Sequence, residues 1–322
     1  MKIKATQQTI VFALFVVMAA GFALFLPGFA RVDNLLTLLQ NVAILGILGL
    51  GMSLVVIGRG IDISMIAALA VPSGLLLQLI EHGHSIPSAA LIALGLTLVF
   101  GLVNGWLIAY AEVPSLFTTL ASGLFLAGLG QAFLFDLEVV QWPAAADPIA
   151  WFGRGSLAGL PMPIVMFALA SAAVALFLKR LRAGAFIYAI GDNPMAARAT
   201  GLPTRPIVVL EYVLAALIGL FAGLVMAASV NSMPTRIFNS TMVYDVVLVV
   251  VLGGIGLSGG RGGVLNVVVG TLLIGTMLNG MTILDMSYSM QNIVKGVVLL
   301  AAILIDSILN PRNEETAQQG DI

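Results

Sequence analysis

Apolar runs of about 20 residues follow one another along nearly the whole chain, and a run of that length crosses the ~30 Å hydrocarbon core of a bilayer as a helix. They lie near 9–27, 35–57, 65–80, 88–110, 116–135, 162–178, 207–229, 242–256, 264–283 and 292–309. Inside hydrocarbon every backbone N–H and C=O must be paired within the protein, which for runs this long means helix. Charged residues make up only 9% of the 322 residues, too few to cover a soluble protein of this size. The fold class is therefore all-α, a polytopic membrane protein with about ten transmembrane helices. Its 35 glycines follow no collagen-like period and suit close helix packing in lipid. The runs near 65–80 and 242–256 sit beside the glycine-rich polar segments GRGIDIS (58–64) and GGIGLSGGRGG (253–263), so these two are expected to be short, broken or re-entrant.

The first run follows Lys2 and Lys4 and ends near Gly28-Phe29-Ala30, the outline of a secretory signal with a weak cleavage site. Ile10 to Leu26 is long for a signal, and many spans follow, so it is read as a retained first helix. Lys and Arg collect on the cytoplasmic side of membrane proteins. With the N-terminus inside, that side receives Lys2, Lys4, Arg59, Lys179, Arg180, Arg182, Arg198, Arg205, Arg261 and Arg312; the other keeps Arg31, Arg154, Arg236 and Lys295. An even number of spans returns the C-terminus to the inside. One transmembrane domain over 1–310 and a polar cytoplasmic tail over 311–322 are expected, the tail being too polar to fold.

Several functions are excluded by what is missing. There are no cysteines, hence no disulfides, thiolate nucleophiles or cysteine-based metal sites. The segment 253–263 has no Lys followed by Ser or Thr, so it is not a phosphate loop. No Ser/His/Asp set or HExxH motif exists, so no catalytic residue, metal site or bound cofactor is expected, and the protein is not read as an enzyme. The basic residues are scattered beside the spans, which argues against nucleic acid as a partner. His82 and His84, beside Glu81, read as polar loop residues rather than a metal site or pH switch. The longest external segment, about 136–161, holds Asp136, Glu138 and Asp147 against Arg154; it is too small to capture a ligand, so any capturing domain is a separate protein.

The loop 179–206 is the most basic segment and much longer than a link between two spans requires. Within it Asn193 caps a helix start and Pro194 fits the first helical position. Met195, Ala196, Ala197, Arg198 and Thr200 run as helix, Gly201 supplies the left-handed end residue and Pro203 stops continuation. A helix of about seven residues, near 10 Å, is unstable alone in water. It either packs on its own protein's rim or inserts into a cytoplasmic partner that drives transport; the basic, mid-chain setting favours the second.

These residues also carry a resemblance. LRAGAFIYAIGDNPMAARATGLP (181–203), GLVNGWLIAYAEVPSLFTTLA (101–121), GRGIDIS (58–64) and VVLGGIGLSGGRGGVLNVVVGTLLIG (250–275) resemble the monosaccharide-type permease subunits of bacterial ABC importers, over roughly 35–309 and in order. The related branched-chain amino-acid permeases share the plan but lack a run like Tyr188-Ala189-Ile190-Gly191-Asp192-Asn193, which tilts the substrate class to sugars. The resemblance implies a permease dimer, of two copies or with a sister subunit, in the bacterial inner membrane. It further implies a periplasmic sugar-binding protein that delivers substrate and a cytoplasmic ATPase that supplies the energy of ATP. The segment around 183–203 matches the family's ATPase-contacting loop, which assigns Gly184, Tyr188, Gly191, Asp192, Asn193, Pro194, Ala196, Ala197, Arg198 and Gly201 to coupling. One departure stands out. The family form Gly-Gly-Ile-Asp-Leu-Ser-Val-Gly is here Gly58-Arg59-Gly60-Ile61-Asp62-Ile63-Ser64-Met65, with a charge at Arg59 and bulk at Met65.

Polar residues in the spans are few, as suits a weakly binding conduit. Asp62 reads either as a gating residue or, with Ser64, as a cap on the next helix, with Arg59 as a nearby charge; the cap is preferred. Asn104 and Asn279, each before a glycine, line a path or join helices. Thr118 and Phe117 carry the same ambiguity between path and packing. Glu211 is placed to face Arg205, and Asp245 near the outer end of its span reads as an interfacial anchor or a gate. VIGRGIDIS (56–64) weakly echoes VLGGIGLS (251–258), as GLVNG does GTMLNG, a faint internal repeat. The rival function is an ion-coupled secondary transporter, for which Asp62, Glu211 and Asp245 would be the coupling carboxylates.

Overall fold

The computed structural model describes residues 7–135 and 138–309, and most of it is helix. Helices α1 (Gln7–Phe25), α2 (Val32–Ile57), α3 (Met65–Glu81), α4 (Ile86–Ala109) and α5 (Ser115–Leu129) come first, α5 continuing as a π turn over Gly130–Leu134. The connection to α7 (Met162–Arg180) holds strand β1 (Val139–Gln141), the short α6 (Trp151–Arg154) and a hairpin of β2 (Ser156–Leu157) with β3 (Leu160–Pro161). Then come α8 (Arg182–Asp192), α9 (Pro194–Ala199) and α10 (Thr204–Val230). Strand β4 (Ser232–Pro234), α11 (Met242–Leu252), α12 (Val264–Ile283) and α13 (Tyr288–Leu309) complete the described residues.

Each of the expected apolar runs falls on an apolar helix. Seven helices, α1, α2, α4, α5 with its continuation, α7, α10 and α12, are long and apolar enough to cross a membrane, and α3, α11 and α13 are the shorter apolar ones. As the flanking glycines suggested, α3 has 17 residues and α11 only 11. At 1.5 Å per residue α11 covers about 16 Å, roughly half a bilayer core. The rest of that span is the irregular chain on either side.

α2 is the axis of the bundle, buried at every residue from Val42 to Ile57. α10 packs against α2, α3 and α4. Its closeness to α4 follows from Gly101 and Gly105, one turn apart: a Cβ on either would lie within 2.7 Å of the Cα of Val213 or Val209. Lipid offers no hydrophobic drive between helices, so such backbone approach and its dispersion contacts hold the pair.

Two features lay beyond the sequence reading. α8, expected as loop, is an amphipathic helix burying Gly184, Ile187, Ile190 and Gly191 on one face. Arg205 does not face Glu211: it pairs with Glu112 at 3.0 Å and stacks 5.5 Å over the ring of Tyr110, whereas Glu211 turns into the bundle. At the end of the bundle away from α8 and α9, β1 pairs antiparallel with β4, Val140 opposite Met233. Arg236 bonds Glu138 there at 2.8 Å, and Arg154 lies 5.2 Å over Trp142. Lys2, Lys4, Asp136, Arg312 and the tail 311–322 lie outside the described residues.

Candidate functional site

The basic end of the bundle brings together three segments far apart in sequence: the α2–α3 turn, the α11–α12 turn, and α8 with α9. Each is built from local signals.

α9 is specified by its caps. Asn193 Oδ1 accepts from the backbone N–H of Met195 (3.1 Å) and Ala196 (3.0 Å), a cap of about 1 kcal/mol. Gly201, at φ +79°, ends the helix, its N–H bonding Arg198 O and that of Leu202 bonding Ala197 O. Pro194 opens a helix of six residues. Only Ala197 of the six is buried, so Ala196, Arg198 and Met195 (53% exposed) present an uncovered face. α8 instead is seated. Gly184 fits against the backbone of Phe177 and Leu178, and Tyr188 Oη donates to Gly262 O at 2.8 Å, burial raising its phenol above the usual range.

The two turns share one hydrogen-bonded form. In the first, Arg59 N–H bonds Val56 O (3.0 Å) and Gly60 N–H bonds Val55 O (2.8 Å). In the second, Gly254 N–H bonds Val251 O (3.0 Å) and Ile255 N–H bonds Val250 O (3.1 Å). This is a Schellman ending, which places its central residue in the left-handed region. Gly254 meets that need at φ +88°, but Arg59 meets it at φ +73° with a full side chain, at a cost of about 1–2 kcal/mol. Its Nε donates to Ser258 O of the other turn at 2.7 Å.

The turns also meet through backbone. Gly260 N–H donates to Ile57 O at 2.8 Å. The last turn of α8 lies directly on this bond, since a Cβ on Gly191 would overlap Ile57 O and come within 2.5 Å of Gly260 N. Asp192, exposed, packs its backbone 2.7 Å from where a Cβ of Gly260 would stand. Beneath the first turn, Gly58 rests on the Glu211 carboxyl and Gly60 on the Tyr212 hydroxyl, neither leaving room for a Cβ.

Of the residues read as a path, Asp62, Ser64 and Asn104 form one network behind the first turn. Asp62, 2% exposed, accepts from Ser64 N–H (2.9 Å) and Ser64 Oγ (2.5 Å), and Asn104 Nδ2 donates to Ser64 Oγ (3.0 Å). Asp62 thus braces the turn just ahead of α3, whose first residue is Met65 and whose N-cap Ser64 makes no side-chain cap bond. Thr119 holds the turn by accepting from Ile63 N–H at 3.1 Å. Thr118 is buried on α5. Asn279 lies apart, exchanging two 3.0 Å bonds with Asn34 at the opposite end of the bundle. Phe117, 64% exposed, lines an apolar groove of about 440 Å³ beside the turns, with Val56, Ile61, Val247, Leu257 and Ile303.

A further feature the sequence reading missed is an ion pair between α11 and α13. Lys295 Nζ lies 2.8 Å from Asp245 Oδ1 and 3.2 Å from Oδ2, and donates to Thr241 Oγ1 at 3.1 Å. The side chains are 8% and 13% exposed. Lys295, a charge near the start of the apolar run 292–309, was the signal available in the sequence.

Against known proteins, residues 34–303 match the family model described as branched-chain amino acid transport system / permease component. The ribose import permease protein RbsC of Escherichia coli (strain K12) is 32% identical over 305 residues, 94% of each chain. RbsC of Bacillus subtilis (strain 168) is 34% identical over 281 residues, 87% of this chain and 86% of its own. The galactofuranose transporter permease protein YtfT of Escherichia coli (strain K12) is 34% identical over 270 residues, 84% of this chain and 78% of its own. No solved structure matches. With helices fit to cross a membrane, two glycine turns at its basic end and relatives aligned over most of its length, the chain belongs to this family of ABC-transporter permeases.

Proposed function

We propose that this protein is the permease subunit of an ATP-driven monosaccharide importer in a bacterial inner membrane, passing its substrate by alternating access. The relatives are named for ribose and galactofuranose, which supports a sugar over the amino acids in the family's description. The observation that carries the coupling role is the division of labour between α8 and α9: α8 is seated on both turns, while α9 turns an uncovered face of Met195, Ala196 and Arg198 outward. A cytoplasmic ATPase docks on that face, and its motion passes through α8 to the turns. Both termini are cytoplasmic in this arrangement. A periplasmic binding protein delivers the sugar to the other end, and a second permease, a copy or a sister subunit, closes the groove beside α5, α11 and α13. An apolar groove with few polar groups suits a conduit that leaves selectivity to the binding protein.

Uptake of labelled ribose into cells that express the chain with its partner subunits tests this. It should stop on ATP depletion, persist when a protonophore collapses the proton gradient, and be competed by sugars but not by leucine. Uptake that follows the gradient would mean a secondary transporter, and competition by leucine would move the substrate class to amino acids.

A further inference from the structure

Two turns of one backbone form stand side by side, and only one is built with the residue that form favours. Gly254 takes its left-handed conformation without a steric penalty; Arg59 takes the same conformation against one. A strained residue persists where its surroundings hold it. Here the holding contact is visible: Arg59 Nε donates to Ser258 O at 2.7 Å, and its Cγ lies against Gly259, where no Cβ would fit. The same side chain therefore crosses from the α2–α3 turn to the α11–α12 turn. It runs beside the Gly260–Ile57 backbone bond on which Gly191 rests.

We propose that Arg59 is a positioning residue for transport, a clasp that makes the two turns move as one body with the end of α8. The inference rests on the importer reading above. A glycine at position 59, the residue of the matching turn, would leave the backbone bonds intact but remove the side-chain bond from Nε to Ser258 O. A push arriving on Gly191 would then shift the turns unequally. The groove they border, through Ile61 and Leu257, would fail to open in step with ATP hydrolysis.

The test compares wild type with Arg59→Gly and Arg59→Lys, each purified with its ATPase and reconstituted into liposomes with the binding protein. Sugar uptake and phosphate release are read together. Arg59→Gly removes backbone strain, so it should accumulate at least as well as wild type and retain its ATPase. Sugar moved per ATP should fall at least tenfold while hydrolysis continues. Arg59→Lys keeps the charge but has no Nε, and should fall in the same direction by less. Should Arg59→Gly accumulate poorly, the ratio measured on Arg59→Lys decides. A ratio within twofold of wild type in the deciding variant would overturn the clasp while leaving the importer reading intact. Wild-type uptake with no ATPase bound would overturn both.

Discussion

Gly191→Ala is expected to reduce sugar uptake at least ~100-fold while the protein still reaches the membrane, a change of about 2.8 kcal/mol at 1.4 kcal/mol per tenfold. The methyl group has nowhere to go. It would overlap the carbonyl oxygen of Ile57 and lie 2.5 Å from the N–H of Gly260, so both partners of the bond joining the turns would have to move. Backbone is not the flexible end of a side chain, and overpacking of this kind is relieved only by displacing a whole element. That element is α8, whose other anchor, the Tyr188–Gly262 bond, spans the same junction. The transmembrane helices do not depend on the contact, so insertion should survive. Gly95→Ala is the control, because a Cβ there meets nothing within 4 Å and alanine is the better helix former. Uptake normalised to membrane-inserted protein checks both, and equal loss in the two variants would remove the special role of Gly191.

The second large effect is expected at Lys295. Replacing it with methionine strands Asp245 in a site where its side chain is only 13% exposed. Breaking one partner of a buried pair costs about 3–5 kcal/mol, chiefly because the remaining charge is left uncompensated. α13 makes its principal helix contact with α11, so the pair pins an otherwise peripheral helix to the bundle. Lys295→Met should therefore lower the thermal stability of the detergent-solubilised protein, visible as early aggregation on size-exclusion chromatography. The double variant Lys295→Met with Asp245→Leu should recover most of the loss, since it removes both charges. A double variant as unstable as the single one would show that packing, not charge, is what Lys295 supplies.

The spans were legible in the sequence because hydrocarbon allows so few ways to pair a backbone, and the short α9 because Asn193, Pro194 and Gly201 each have a local reason to stand where they do. What could not be read is what depends on distant neighbours. Asn104 and Asn279 look alike in sequence, each before a glycine inside an apolar run. In the fold one bonds Ser64 beside the turn and the other bonds Asn34 at the far end. Glu211 lies six residues from Arg205, a little more than one and a half helical turns, and tertiary packing set the outcome by pairing Arg205 with Glu112 and packing the Glu211 carboxyl under Gly58. The echo between the two glycine segments was visible, but not that they touch. Arg59 stood out only as a departure from a pattern, and its bond to Ser258 needed the fold.

In the proposed importer the face of α9 receives the ATPase. The chain has no cysteine, so single cysteines can be placed at Met195, on that face, and at Leu157, exposed at the other end of the bundle. Each variant is treated in native membranes with a thiol-to-amine cross-linker, and adducts are probed with a photoreactive ATP analogue. An ATP-labelled adduct is expected from position 195 and none from 157. Full uptake with no ATP-binding polypeptide captured at 195, or capture at 157 instead, would contradict this docking.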